Sequence, residues 1–298
     1  MDYNNNAGID LHIHSTASDG TFSPSEILAL ARDFNLAAIA ITDHDTINGS
    51  KEALGIGIPP SLKFLTGVEI SASLPPSFPN SGSLHILGYS INIDAPLLNK
   101  TLGMLQEARK NRNPRIVDRL NSFGIDLSMN ELLSEVGDAQ LGRPHIARLM
   151  VKKGYVESIK EAFDKYLGKG KPAYVDKYRV DCFRAIEVIL DAGGIPVIAH
   201  PFLLNIGNIE DIEELVITLK ARGLKGIEVY YPEHSQDNIA KLEDIANRYE
   251  LLMTGGTDFH GSLKPEIKMG SGKGNFFVPY ILYERLMESI YTSKNRYL

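Results

Sequence analysis

Residues 9–20 read Ile-Asp-Leu-His-Ile-His-Ser-Thr-Ala-Ser-Asp-Gly, and residues 256–260 read Gly-Thr-Asp-Phe-His. Between them stand Thr42-Asp43-His44-Asp45, Gly67-Val68-Glu69, Leu84-His85 and Ala199-His200-Pro201. Most of these histidines and carboxylates lie at or just after a short apolar run of strand-like composition. A metal site at the mouth of an α/β barrel requires that distribution. Its ligands come from the ends of several strands, and only the fold brings them together.

Seven strand-like runs occur, at 8–12, 37–42, 63–70, 84–91, 195–199, 226–230 and 251–255. Helical patterns separate most of them. Ser23-Pro24-Ser25-Glu26 combines a capping box with proline at the first helical position. Further helices fit 46–54, 181–192, 209–222, 235–249 and 279–293. Strands alternating with helices predict an α/β fold with a mostly parallel sheet, either a barrel or doubly wound. Two places break the alternation. The loop Pro75 to Gly82 joins two strands directly, so the fourth run is expected to be antiparallel to the third. Residues 95–180 hold no convincing strand and read as four or five short helices with basic faces. The chain therefore divides into a first barrel part (1–94), an inserted helical subdomain (95–180) and a second barrel part (181–298).

The chain has 298 residues, 43% of them hydrophobic and 23% charged, as in ordinary globular proteins. No apolar run approaches the roughly 18 residues of a membrane span, and the polar start Met1 to Asn6 has no signal-peptide core. A single cysteine, Cys182, excludes an internal disulfide and a cysteine-rich zinc site; it is expected as a small buried residue of a helix. These features predict a cytoplasmic location. The net charge of −6 is unevenly spread. Residues 99–178 are net +5, whereas the rest of the chain is net −11. The acidic part contains the candidate ligands, whose excess charge bound cations would offset. The basic part is either a solvated helical surface or a region that holds an anionic substrate.

His12 and His14 stand two apart, on one face of an extended segment, so both rings can reach one ion. Asp43 and His44 end a buried strand, where Asp43 serves either the site or as a cap of the helix at 46–54. Glu69 ends another strand, and a buried carboxylate there needs a cation or several donors. His200 precedes Pro201 at a strand end, and Asp258 and His260 repeat the two-residue spacing. Mixed imidazole and carboxylate ligands suit zinc, manganese or iron and not calcium. Nine ligand-type residues exceed the needs of one ion, so two or three divalent ions are expected, with Glu69 the natural bridge. Clustered divalent ions suit hydrolysis of a phosphate ester.

The series His12-Ile13-His14-Ser15, Ser18-Asp19-Gly20, Thr42 to Asp45, Gly67 to Ile70, His85 to Gly88, Ala199 to Pro201 and Thr257 to His260 resembles the signature of the polymerase and histidinol phosphatase (PHP) family. The resemblance runs over 8–94 and 181–262; Thr257 replaces a serine common in the family. It implies a distorted (β/α)7 TIM-like barrel with three divalent metal ions, Mn2+, Zn2+ or Fe2+. Carried over by position, His12, His14, Glu69 and Asp258 would bind the first ion. Glu69, His85 and His200 would bind the second, and Asp19, His44 and His260 the third. Asp19, Glu69 and Asp258 would serve catalysis, with Asp43 behind the ligands.

Gly142-Arg143-Pro144-His145-Ile146-Ala147 and the stretch from Ala162 to Val175 resemble one PHP branch. Its members remove the 3′-phosphate from nucleoside 3′,5′-bisphosphates or trim short 5′-phosphorylated RNA. There Arg143 and His145 would grip a substrate phosphate, as a guanidinium fork allows. The alternatives are a surface ion pair for Arg143 and a helix N-terminal role for His145. His234, just past the sixth strand run, either contacts substrate and shuttles a proton or is a surface histidine. The competing functions are histidinol-phosphate phosphatase and a non-catalytic metal-binding PHP module. Deaminases of the amidohydrolase type also begin with His-x-His, but want a bridging lysine where Glu69 stands. Phosphate-ester hydrolysis is expected, with a nucleotide or short RNA as partner, no membrane and no obligate protein partner.

Overall fold

The computed structural model describes residues 8–78, 84–136 and 141–295. β1 (Ile9–Ile13), β2 (Ala38–Ile41), β3 (Lys63–Ser73), β4 (Leu84–Tyr89), β5 (Val180–Asp181), β6 (Ile195–Ile198), β7 (Gly226–Tyr230) and β8 (Leu252–Gly255) form one sheet. Its path runs β1-β2-β3-β4-β6-β7-β8, matching the seven apolar runs, and β5 pairs only with the end of β3. Neighbours are parallel except at β4, which is antiparallel to both β3 and β6. The expected reversal at the fourth run is therefore present; the loop before it falls partly on residues 79–83, outside the described ones.

The sheet curls until its ends nearly meet. Ile13 bridges Phe259 in parallel, His14 N donates to Phe259 O (2.9 Å), and Ile9 N donates to Val278 O (3.1 Å). Gly256 allows this approach, because a Cβ there would lie 2.3 Å from His12 N. Inside the barrel the buried Tyr89 reaches across from β4, and its hydroxyl donates to Leu11 O on β1 (2.9 Å).

Helices α1 (Pro24–Asp33), α2 (Asn48–Ile56), α3 (Pro96–Ser122), α4 (Met129–Val136), α5 (Arg143–Lys152), α6 (Ile159–Ala162), α7 (Cys182–Asp191), α8 (Ile209–Lys220), α9 (Gln236–Arg248) and α10 (Ile281–Asn295) complete the fold. The capping box at Ser23 is formed: Glu26 Oε2 accepts from Ser23 N (2.7 Å) while Ser23 Oγ accepts from Glu26 N (3.3 Å). Cys182 opens α7 fully buried, and burial pushes its thiol up to about 12. No helix among the described residues is long and apolar enough to cross a membrane.

The segment between β4 and β5 departs from a string of short helices. Its first helix, α3, spans 27 residues and runs through Pro114. Leu98, Leu102 and Leu105 of α3 pack into the core over β3, β4 and α7. Ile116, Val117 and Leu120 instead enter a second core with Leu132, Ile146, Met150, Leu167 and Val175. Each fully buried aliphatic contributes on the order of 1.5–3 kcal/mol, so both ends of α3 are firmly held. It acts as a beam common to the barrel and the helical layer.

Candidate metal centre

The strand period of two carries His12 and His14 to one side of the chain as β1 ends. His12 Nε2 and His14 Nε2 lie 3.5 and 3.2 Å from Glu69 Oε2, and 3.5 and 3.1 Å from Asp258 Oδ1. Glu69 is fully buried on β3. Its Oε2 also meets His44 Nδ1 (2.8 Å), while its Oε1 meets His85 Nδ1 (2.7 Å) and His200 Nε2 (3.0 Å). One carboxylate thus touches five imidazoles, from four strands or the turns after them. Asp19, on the loop after β1, places Oδ1 3.4 Å from His260 Nε2 and 3.8 Å from His14 Nδ1.

Three overlapping groups result, each with ligand atoms within 4.8 Å of one another: His12, His14, Glu69 and Asp258; His14, Asp19, His44 and His260; His44, Glu69 and His85. His14 and His44 each join two groups, and His200 is attached through Glu69. The fit to divalent metals rests on the polar atoms left over. His12 Nε2, His14 Nε2, Asp19 Oδ1 and Glu69 Oε2 are buried without a hydrogen bond. One such group costs about 1–3 kcal/mol, and these converge on shared space. Imidazole nitrogens and carboxylate oxygens so placed are a donor set for zinc, manganese or iron.

The electrostatics agree. Burial opposes charge on His12, yet the Glu228, Glu69 and Asp258 carboxylates outweigh it and hold the imidazole well above its usual range. His14 rises to about 10 against the same burial, through its contacts with Asp258 and Glu69. Burial also opposes ionisation of Asp19, Glu69 and Asp258, but each is held well below the usual carboxylate range. His44 and His260 do this for Asp19, His44 and His85 for Glu69, and Lys264 and His260 for Asp258. His44 itself falls to about 4, because burial dominates there. The carboxylates that raise His12 and His14 give the cavity a negative potential that favours cations.

Glu228, Tyr231, Lys264 and Asp10 are positioning groups that the sequence reading did not single out, and Asp43 is one that it did. Glu228, fully buried on β7, accepts from His12 Nδ1 at Oε1 (2.9 Å) and from His200 N at Oε2 (2.7 Å). It thereby fixes the His12 tautomer with Nε2 toward the centre. Asp258 Oδ2 accepts from Tyr231 Oη (3.0 Å) and Lys264 Nζ (2.6 Å), leaving Oδ1 for the cluster. Asp10 accepts from Thr257 N (2.9 Å) and Gly270 N (2.8 Å), tying the last ligand loop to β1. Asp43 accepts from Ser15 N (2.7 Å), Ser15 Oγ (2.7 Å) and Ser18 Oγ (2.6 Å), so it shapes the loop that carries Asp19. It caps no helix: the N-cap of α2 is Ile47, without a side-chain bond. His200 (φ +28°) and Asp258 (φ +52°) occupy left-handed backbone, which costs roughly 1–2 kcal/mol for a residue with a Cβ.

His234 is buried rather than on the surface. Its Nδ1 donates to Val229 O (2.8 Å), and its ring sits 5.3 Å from Phe202 and 5.2 Å from Tyr231. Its Nε2 is buried without a hydrogen bond. His145, in the first turn of α5, accepts from Gly142 N at Nδ1 (3.0 Å), so the proton lies on Nε2. No ion pair found among the described residues includes Arg143: its guanidinium lies 5.5 and 5.4 Å from the rings of Phe163 and Tyr174, and Nη1 donates to Leu167 O (2.9 Å). Both residues stand on the helical layer. That layer is fastened to the barrel by Arg109, whose Nη2 lies 2.6 Å from Asp45 Oδ2.

Residues 10–173 match the family described as PHP domain; Asp258 and His260 lie beyond that match. The chain is 35% identical to a 3′,5′-nucleoside bisphosphate phosphatase of Chromobacterium violaceum, over 85% of this chain and 87% of that one. It is 34% identical to a 5′-3′ exoribonuclease of Haemophilus influenzae, over 84% of this chain and 89% of that one. Among solved structures, a Chromobacterium violaceum protein described as an amidohydrolase with bound sulfate and no metal superposes with a TM-score of 0.81. Its identity is 33%, covering 95% of this chain and 96% of that one.

Proposed function

The protein belongs to the PHP domain family, and on that premise we propose that it is a metal-dependent phosphoesterase acting on nucleotides or short 5′-phosphorylated RNA. The observation that carries the reading is Glu69, one buried carboxylate whose two oxygens face histidines of different ligand groups. His12, His14, Glu69 and Asp258 would hold one divalent ion, Glu69, His85 and His200 a second, and Asp19, His44 and His260 a third. Mn2+, Zn2+ and Fe2+ all suit these donors. Such ions would neutralise phosphoryl oxygens and lower the pKa of a water.

The chain's own groups divide the remaining work. Glu228, Tyr231 and Lys264 aim the ligands. His145 offers Nε2–H to a phosphate oxygen, and Arg143 supplies positive charge next to it. His234 presents an unprotonated Nε2, since Nδ1 donates to Val229 O, and so accepts a proton or hydrogen bond from substrate. Ser15 is no nucleophile: its hydroxyl is spent on Asp43 Oδ2 (2.7 Å). Water therefore attacks phosphorus directly, with inversion. The amidohydrolase description of the structural relative does not carry deaminase-type chemistry to this chain. Lys264 and Lys177 pair with Asp258 and Asp45, and Glu69 takes the central place.

Metal-reconstituted protein should be assayed on adenosine 3′,5′-bisphosphate, a 5′-phosphorylated oligoribonucleotide and histidinol phosphate. Phosphate release from the bisphosphate, or stepwise shortening of the RNA, is expected. Preferred turnover of histidinol phosphate would overturn the substrate assignment, and inertness toward all three would overturn the reaction class.

A further inference from the structure

Lys264 is a cation placed inside a cluster whose residues suit cations. Its Nζ donates to Asp258 Oδ2 (2.6 Å), and Tyr231 Oη donates to the same oxygen (3.0 Å). The other oxygen, Oδ1, faces His14 Nε2 (3.1 Å) and His12 Nε2 (3.5 Å), where the first ion would bind. One carboxylate therefore carries an ammonium on one oxygen and a proposed metal position on the other. Burial opposes charge on Lys264, but the Asp258, Asp19 and Glu233 carboxylates outweigh it and hold the ammonium above its usual range. The hydroxyl and the ammonium both orient Asp258, and only the ammonium brings a charge. A neutral donor behind a ligand raises metal affinity. A cation on the same carboxylate takes up the negative charge that the ion would use.

The backbone beneath Lys264 is anchored. It leaves the turn Gly261–Leu263, and Lys264 N donates to Gly261 O (3.1 Å). Ser262 N donates to Thr21 Oγ1 (2.8 Å), which ties the turn to the loop after β1. Gly261 (φ +66°) admits this contact, because a Cβ there would lie 2.1 Å from Thr21 Oγ1. An arriving dication therefore meets a positive charge that the fold has put there. If the ammonium stays, it repels the ion; if it swings to solvent, its ion pair is lost. The cost falls on metal binding either way. We propose that Lys264 is a resident counterion of the centre. It neutralises Asp258 before metal binds and lowers the affinity of the His12, His14, Glu69 and Asp258 position, so that occupancy there follows the free metal concentration. This rests on the metal-dependent reading and deepens it, by naming the residue that sets how tightly that ion is held.

The test compares two variants of the same oxygen's partners. Chelator-treated protein is titrated with Zn2+ and with Mn2+ against a chromophoric chelator, and its melting temperature is recorded with and without metal. Lys264→Met should tighten one ion position about tenfold or more. Tyr231→Phe keeps the charge and loses an orienting donor, so it should weaken that position about ten- to a hundredfold. Lys264→Arg should bind as wild type does. Without metal, Lys264→Met should melt below wild type, because Asp258 has lost its counterion, and saturating metal should close or reverse the gap. Equal or weaker binding in Lys264→Met overturns the proposal, since the lysine would then only aim Asp258. If the methionine variant does not fold, Lys264→Gln, neutral and still a donor, is judged by the same criterion. Wild type that takes up no divalent ion overturns the metal-dependent reading and this inference together. Wild type that binds ions and hydrolyses its substrate, with no tightening in Lys264→Met, overturns this inference alone.

Discussion

Replacing Glu228 by glutamine tests whether a carboxylate outside the proposed ligand set governs metal binding. Glu228 accepts two hydrogen bonds, one per oxygen, from His12 Nδ1 (2.9 Å) and His200 N (2.7 Å). Glutamine is nearly isosteric but carries a single acceptor oxygen, so one of the two donors must face an NH2 group. The variant loses a charge-assisted hydrogen bond, about 1.5–3 kcal/mol, and leaves a buried donor unmet. If His12 is the group that turns, metal affinity at the His12 position should fall about ten- to a hundredfold, equivalent to roughly 1.4–2.7 kcal/mol. Competition against a chromophoric chelator reads this directly. Glu228 accepts from His12 and His200, so the group of Asp19, His44 and His260 should keep its affinity. Folded Glu228→Gln protein with wild-type affinity throughout would refute the reasoning.

Glu69→Gln should cost more metal and more rate than any other ligand substitution, because its two oxygens serve different groups; wild-type metal content by elemental analysis would remove it from the bridge. Gly256→Ala should lower both melting temperature and metal content by forcing β8 away from His12 N, with overpacking of about 1–3 kcal/mol; a melting temperature equal to wild type would show that the barrel seam yields freely. Burial lowers the pKa of His234 below 6.5, so folding resists its protonation. Its contribution vanishes above about pH 6.5 and becomes destabilising as pH falls further. Chelator-treated wild type should therefore lose stability more steeply below pH 6.5 than His234→Gln in denaturant titrations, and parallel curves would contradict this. Arg143→Ala should weaken a bisphosphate substrate and also lower the melting temperature, since the guanidinium packs between Phe163 and Tyr174; loss of affinity with no thermal effect would deny the packing role.

The barrel was legible because its strands are short apolar runs and the candidate ligands stand near where those runs end. His12 and His14 needed no tertiary information beyond strand periodicity, whereas Asp258 and His260 lie past β8 on a turn with left-handed backbone at Asp258. Glu228 was harder to see, since a glutamate within Gly226-Ile-Glu-Val-Tyr230 looks like an ordinary alternating strand position. The available signal was energetic: a carboxylate between two apolar residues of a barrel strand is buried and must hold something. Asp10 in Ile-Asp-Leu carries the same signal. Asp43 was read with two roles open, and the serines it holds decide between them. β5 was missed because two residues carry no periodicity. The 27-residue α3 was divided in expectation because Asn111, Asn113 and Pro114 form a helix-breaking cluster. Packing at both ends overrides that local preference. Arg112 and Arg109 lay in a segment read only as basic, and their burial depends on contacts far apart in sequence.

The most direct test of the account is anomalous diffraction at the zinc, manganese and iron edges from protein prepared without chelator, with hydrolysis of adenosine 3′,5′-bisphosphate assayed on the same preparation. The account predicts up to three peaks grouped around Glu69, within bonding distance of His12, His14, Asp19, His44, His85, His200, Asp258 and His260, and a rate that rises with their occupancy. Full activity from protein with no metal in that cluster would contradict it.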